Sequence, residues 1–222
     1  KMVAEVVRTC KENNTMNGYI RLIVTRGCGT LGLNPYTCDT PQIIIIADNI
    51  QLYPEELYQK GLKVITSGTL RNHPEALNPK IKSLNYLNNI LAKIEAINSG
   101  VLEVIMLNHQ GYVAEATGDN VFMVQGNDVI TPPASAGALE GVTRNVVCML
   151  AKENGFNVKE VNLSRYDLYN ADEMFLTGTA AEIISVVEYD KRQIGNGKPG
   201  AVTEKLRNKF VEFANSTGEP IV

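Results

Sequence analysis

A lysine, a tyrosine four residues beyond it, a carboxylate among small residues and two glycine–threonine turns are the groups in this 222-residue chain whose spacing could do chemistry. Lys82 follows a segment bracketed by Pro74 and Pro79. Most lysines are solvated charges, but partial desolvation lowers the pKa and frees an amine for covalent catalysis. Tyr86 sits where a helix starting at Ser83 would put it on the Lys82 face, off the stripe of Leu84, Leu87 and Leu91. Glu115 stands in an Ala-Glu-Ala run within Gly111–Asn120. Facing outward it is an ordinary strand carboxylate; buried, it needs a cation or a hydrogen-bond donor. Gly141–Arg144 opens a helix and Gly178–Ala180 follows a strand. Each offers backbone N–H groups and a threonine hydroxyl, which suit an anion such as phosphate, though each alone also reads as an ordinary cap or turn.

Taken together these are the parts of a pyridoxal phosphate site. An amine forms the Schiff base, a carboxylate keeps the pyridine nitrogen protonated, and N–H-rich turns hold the phosphate.

The elements that must position them follow from periodicity. Lys1–Asn14 carries an apolar stripe at helical spacing, and Tyr19–Thr25 and Gln42–Ala47 read as strands, the second a run of isoleucines suited to burial on both faces. Ser83–Asn98 is the strongest helix, with Leu84, Leu87, Leu91 and Ile94 as its expected buried stripe and Gly100 at its end. Short strands follow at Glu103–Asn108, Tyr112–Thr117, Val121–Val124, Val129–Thr131, Val158–Asn162, Glu173–Leu176 and Glu182–Glu188, with helices at Pro54–Gln59, Thr143–Asn154 and Val202–Asn215. The mixture implies an α+β fold. The composition shift near residue 40 divides it into 1–36, a linker at 37–41 and a large domain at 42–222.

Composition excludes other classes. A net charge of −3 gives no basic excess for nucleic acid, and the longest apolar run, Ile43–Ala47, is far too short for a membrane span. Cys10, Cys28, Cys38 and Cys148 are scattered, as are His73 and His109, with no metal-ligand spacing; this suits a reduced, cytoplasmic chain.

Four segments, IKSLNYLNNILAKIEA from Ile81, GYVAEATGDNVFMV from Gly111, ALEGVTR from Ala138 and FLTGTAAEI from Phe175, resemble the class IV (fold-type IV) pyridoxal phosphate-dependent aminotransferases in order and spacing. The resemblance runs over almost the whole chain. It implies a fold-type IV architecture, with Lys82 as the Schiff-base lysine and proton shuttle, Tyr86 on the ring hydroxyl and Glu115 on the pyridine nitrogen. It further implies Leu139 against the ring face, Val142, Thr143 and Thr179 on the phosphate, and Thr179 and Ala180 facing the substrate α-carboxylate. The Tyr19-Ile20-Arg21 strand resembles that of branched-chain aminotransferases, where the tyrosine and arginine receive the distal carboxylate of glutamate. The expected reaction is therefore transamination between L-branched-chain amino acids and 2-oxoglutarate. A D-amino acid aminotransferase, an aminodeoxychorismate lyase and a non-catalytic fragment are the alternatives. The family also implies a homodimer or higher homo-oligomer and a further stretch ahead of Lys1, completing a small α/β domain of which 1–36 is the remnant.

Overall fold

Helix α1 (Met2–Glu12) leads into strand β1 (Tyr19–Thr25), which pairs antiparallel along its whole length with β2 (Gln42–Asp48), Tyr19 opposite Asp48 and Thr25 opposite Gln42. The computed structural model describes residues 1–50 and 52–221. Its contacts divide the chain into two units, Lys1–Leu52 with Thr217–Val222, and Tyr53–Ser216. This moves the boundary expected at 37–41. The hydrogen-bonding edge of β1 needs a partner along its length, and β2 supplies it, so Gln42–Asp48 belongs with β1 rather than with the large sheet. Nor is β2 buried on both faces: Ile43, Ile44 and Ile46 are exposed, because a two-stranded sheet with α1 against β2 has too little material to cover them.

The larger unit is built on one nine-stranded mixed sheet. Its strands are β3 (Leu62–Thr66), β4 (Glu103–Leu107), β5 (Val113–Ala116), β6 (Asn120–Gln125), β7 (Asp128–Thr131), β8 (Asn157–Glu160), β9 (Glu173–Gly178), β10 (Glu182–Tyr189) and β11 (Arg192–Gln193). They run in the order β5-β4-β3-β10-β9-β6-β7-β8, with β11 on β10. The β3–β4, β3–β10 and β7–β8 pairs are parallel and the others antiparallel, which is the α+β mixture expected.

Alternation along the strands sorts two cores. Val121, Met123, Met174, Leu176, Ile184 and Val186 point to one face, with Leu62, Val64 and Ile105. Phe122, Val124, Phe175 and Ile183 point to the other, where α4 (Val142–Glu153) and α6 (Ala201–Ser216) supply Val147, Leu150 and Leu206. Phe122 and Phe175 stack there at 4.9 Å. The remaining helices are α2 (Glu55–Lys60), α3 (Leu87–Asn98) and α5 (Arg165–Tyr169), the last unforeseen from sequence because it is one turn long and held by a Ser164–Asp167 capping box.

Helix α3 reverses the expected facing. Leu84, Leu87, Leu91 and Ile94 are exposed, and the buried side consists of Asn89, Ala92 and Ala96. The alanines let the helix axis approach β4 closely, where they meet Val104 and Met106. Ala96→Leu should therefore destabilise the protein by about 1–3 kcal/mol through overpacking. Leu91→Ala should cost no more than about 0.5 kcal/mol. Urea unfolding midpoints compare the two.

Candidate active site

Glu115 lies in the middle of β5, a strand buried on both faces, and its side chain is 7 % exposed. The buried reading therefore holds, and the cation it needs is Arg71, whose Nε donates to Glu115 Oε1 at 2.8 Å. The other carboxylate oxygen accepts from the Leu139 N–H at 2.8 Å and from Asn120 Nδ2 at 3.4 Å. Arg71 is itself 8 % exposed and is held from behind by α3: Nη1 donates to Asn88 Oδ1 at 2.8 Å and to Asn89 Oδ1 at 3.5 Å. Asn88 donates in turn to the Leu70 carbonyl, and Asn89 to the Thr117 carbonyl, both at 2.8 Å. Burial pushes the Glu115 carboxyl above the usual carboxylate range, while Arg71, the Leu139 N–H and the Lys82 charge pull it back down.

Arg71 was not identified from the sequence. The requirement for a cation was legible in Glu115, but nothing in the spacing singles out one of 21 Lys and Arg residues.

Lys82 and Tyr86 line one cleft with Glu115, Leu139 and Arg71. They reach it without a shared helical face, because α3 begins only at Leu87 and Tyr86 is its N-cap. Two side chains hold the preceding segment out of helix: Asn78 Oδ1 accepts from the Lys80 N–H and Ser83 Oγ from the Asn85 N–H. Both Lys82 and Tyr86 are exposed on the cleft.

The two expected anion turns converge through Asn120, which stands opposite Thr177 in the β6–β9 pairing and donates to the Leu139 carbonyl at 2.8 Å. On one side, Gly141 caps α4, and a Cβ there would come within 2.3 Å of Asn120 Oδ1, so a larger residue would have to displace the Asn120 amide. Val142 is exposed at the first turn of α4, and Thr143 beside it is buried. On the other side, Thr179 and Ala180 lie in the tight connection between β9 and β10, with Thr179 exposed. Val142, Thr143, Thr179 and Ala180 do not line the cleft that Lys82 lines; Gly118, which does, neighbours Gly178. Tyr19 and Arg21 lie on β1 of the smaller unit, two residues apart and so on the same face of the strand, with Arg21 exposed.

The family model for amino-transferase class IV matches residues 1–189. A putative branched-chain-amino-acid aminotransferase of Methanocaldococcus jannaschii is 46% identical over 218 residues, covering 98% of this chain and 75% of that protein. A branched-chain-amino-acid aminotransferase of Pseudomonas aeruginosa is 40% identical over 211 residues, covering 94% of this chain and 68% of that one. Among solved structures, the Escherichia coli branched-chain amino acid aminotransferase superposes with a TM-score of 0.90 at 36% identity, over 94% of this chain and 69% of that chain. The Thermobaculum terrenum branched-chain amino acid aminotransferase in its PLP-bound holo-form gives 0.87 at 32% identity, over 96% and 69%. The chain belongs to the class IV aminotransferases, which are pyridoxal phosphate-dependent transaminases of fold type IV.

The donor set fits that cofactor. A carboxylate buried beside an arginine suits a protonated ring nitrogen, an amine opens on the same cleft, and the buried Thr143 stands at the N-terminus of a helix of 12 residues.

Arg71→Ala leaves the Glu115 carboxylate buried without its cation, so it should cost about 3–5 kcal/mol at neutral pH. The sign with pH follows from linkage. A carboxyl whose folded pKa is raised binds its proton more tightly in the folded state, so the deficit shrinks as pH falls through that pKa. Denaturant unfolding of Arg71→Ala and wild type at pH 7 and pH 5 should show the gap narrowing at the lower pH.

Proposed function

We propose that this protein transfers the amino group between L-branched-chain amino acids and 2-oxoglutarate, giving the branched 2-oxo acid and L-glutamate. The observation that carries the reading is the joining of the Lys82 amine and the Arg71-backed Glu115 carboxylate in one cleft. The branched-chain preference is supported by the names of the relatives at 46% and 40% identity.

Bound pyridoxal phosphate supplies an aldehyde and a protonated ring that accepts the electron pair of the substrate Cα–H bond. Lys82 takes the proton from the substrate Cα and returns it on the far side of the transferred nitrogen, acting as base and then as acid at one amine. Glu115 holds the proton on the ring nitrogen, and Arg71 keeps that carboxylate oriented. Tyr86 and Leu139, both on the cleft, would hold the ring, Tyr86 through a hydrogen bond to its hydroxyl and Leu139 by apolar contact, while the Leu139 N–H fixes Glu115. The Val142 N–H with the Thr143 and Thr179 hydroxyls binds the phosphate, and the Thr179–Ala180 N–H groups receive the substrate α-carboxylate. Tyr19 and Arg21 are assigned the distal carboxylate of glutamate on the resemblance of their strand. A cytoplasmic homodimer completes the reading. It is supported by the family resemblance and by four cysteines without a disulfide among the described residues. No helix of those residues is long and apolar enough to cross a membrane.

Lys82→Ala should lower turnover by about 10³-fold or more, since the same amine serves as nucleophile and proton carrier. Amination of 2-oxoisovalerate by L-glutamate should exceed amination of pyruvate by D-glutamate. Efficient use of D-alanine would overturn the branched-chain assignment. Arg21→Ala should raise KM for glutamate about tenfold or more and leave leucine little changed, as expected for loss of a bidentate carboxylate contact.

A further inference from the structure

Behind the Gly178–Ala180 turn sits a buried acid for which the proposed chemistry has no use. Asp119 is 4% exposed, and its Oδ1 lies so close to Gly178 that a Cβ there would be 2.1 Å away. Its Oδ2 accepts from the Tyr53 hydroxyl at 2.8 Å. The turn is braced a second time by Tyr58, whose hydroxyl donates to the Ala181 carbonyl at 3.1 Å. A carboxyl group thus packs directly against the turn to which the proposed function assigns the phosphate.

We propose that Asp119 is a positioning residue of this turn, and that its carboxyl must be uncharged for the turn to hold a phosphate tightly. The inference rests on the transaminase reading, which assigns the phosphate to Thr179. A formal negative charge behind an anion-binding turn opposes the ligand at short range and in a buried setting, where Coulomb interactions are weakly screened. A neutral carboxyl keeps the packing against Gly178 and the Tyr53 hydrogen bond without that repulsion.

The surroundings of Asp119 favour the neutral form. Burial and the charge of Glu103, a carboxylate bonded to the Thr117 backbone N–H and hydroxyl, push it up, as does Glu115. The Tyr53 hydrogen bond and Lys93 on α3 pull it down, and the balance leaves it at about 7. The group therefore changes charge near neutrality. A phosphate placed on the turn raises its proton affinity further. By linkage, binding takes up a proton, so phosphate affinity falls as pH rises through 7.

The test is the affinity of the full chain for pyridoxal phosphate, read by absorbance titration between pH 6 and pH 8.5, in wild type and Asp119→Asn. The ligand's own ionisation affects both proteins alike, so the ratio of the two dissociation constants isolates Asp119. The wild-type dissociation constant should worsen relative to the variant by about tenfold across that range, as a single like charge packed against the binding turn predicts. With pyridoxal, which lacks the phosphate, the ratio should stay flat. Tyr53→Phe removes the hydroxyl that favours the ionised carboxyl, so it should move the wild-type transition to higher pH. This variant carries the test if Asp119→Asn does not fold. A ratio independent of pH, an equal pH dependence with pyridoxal, or a transition unmoved in Tyr53→Phe overturns the inference and leaves the transaminase reading intact. Wild-type protein that takes up no pyridoxal phosphate at any pH overturns both.

Discussion

The buried ion pair between Arg71 and Glu115 is the interaction on which the larger unit's site depends. Neither member tolerates burial alone. Together they satisfy each other only because the remaining hydrogen-bonding capacity is also met, by the Leu139 N–H on the carboxylate and by Asn88 and Asn89 on the guanidinium. Removal of water from both charges fixes their geometry, and that geometry draws three separate segments together. These are the loop carrying Arg71, strand β5 and the chain entering α4. Lys82 and Tyr86 fall at the same cleft because they are the approach to α3, the helix that holds Arg71. The chemistry is thus positioned from the rear, by a polar core one layer behind the surface.

How much of this was legible in the sequence follows the range of the forces involved. Strands such as Tyr19–Thr25 and helix α4 were readable because hydrophobic period and glycine punctuation are local. The candidate residues were readable as types, since a lysine, a lone carboxylate among alanines and glycine–threonine turns each carry a chemical meaning by themselves, and the structure brings Lys82, Tyr86, Glu115 and Leu139 to one cleft. Their assignment to one cofactor came from the combination of groups, and the family from the order of four motifs, which no single spacing supplies. Partners were not readable. Arg71 finds Glu115 across 44 residues, and a pairing of that separation is decided by the sheet, not by the neighbourhood of either residue.

The isoleucine run of β2 and the leucines of α3 are apolar yet exposed for the same reason: hydrophobicity sets which residues can be buried, and the packing decides which of them are. On α3 the alanines are inside instead, since closeness to β4 and access of Asn88 and Asn89 to Arg71 set the helix's rotation. The helix start at Ser83 failed for a different reason: short side-chain bonds from Asn78 and Ser83 offered the backbone a competing local solution.

Glu95, on the same helix, spreads its carboxylate over the loop before Arg71. It accepts from the Gly68 N–H at 2.6 Å, the Thr69 N–H at 2.9 Å, the Thr69 hydroxyl at 2.5 Å and Ser67 Oγ at 3.0 Å. With Asn88 bonded to the Leu70 carbonyl, the loop is stitched to α3 at successive residues. An exposed connection of this kind would ordinarily breathe independently of the elements it joins. Here the amide hydrogens of Gly68 and Thr69 share a helix side chain as an acceptor, so the loop is tied to α3 through Glu95. The arginine behind Glu115 is thereby anchored to α3 twice, through its own bonds to Asn88 and Asn89 and through the loop that carries it.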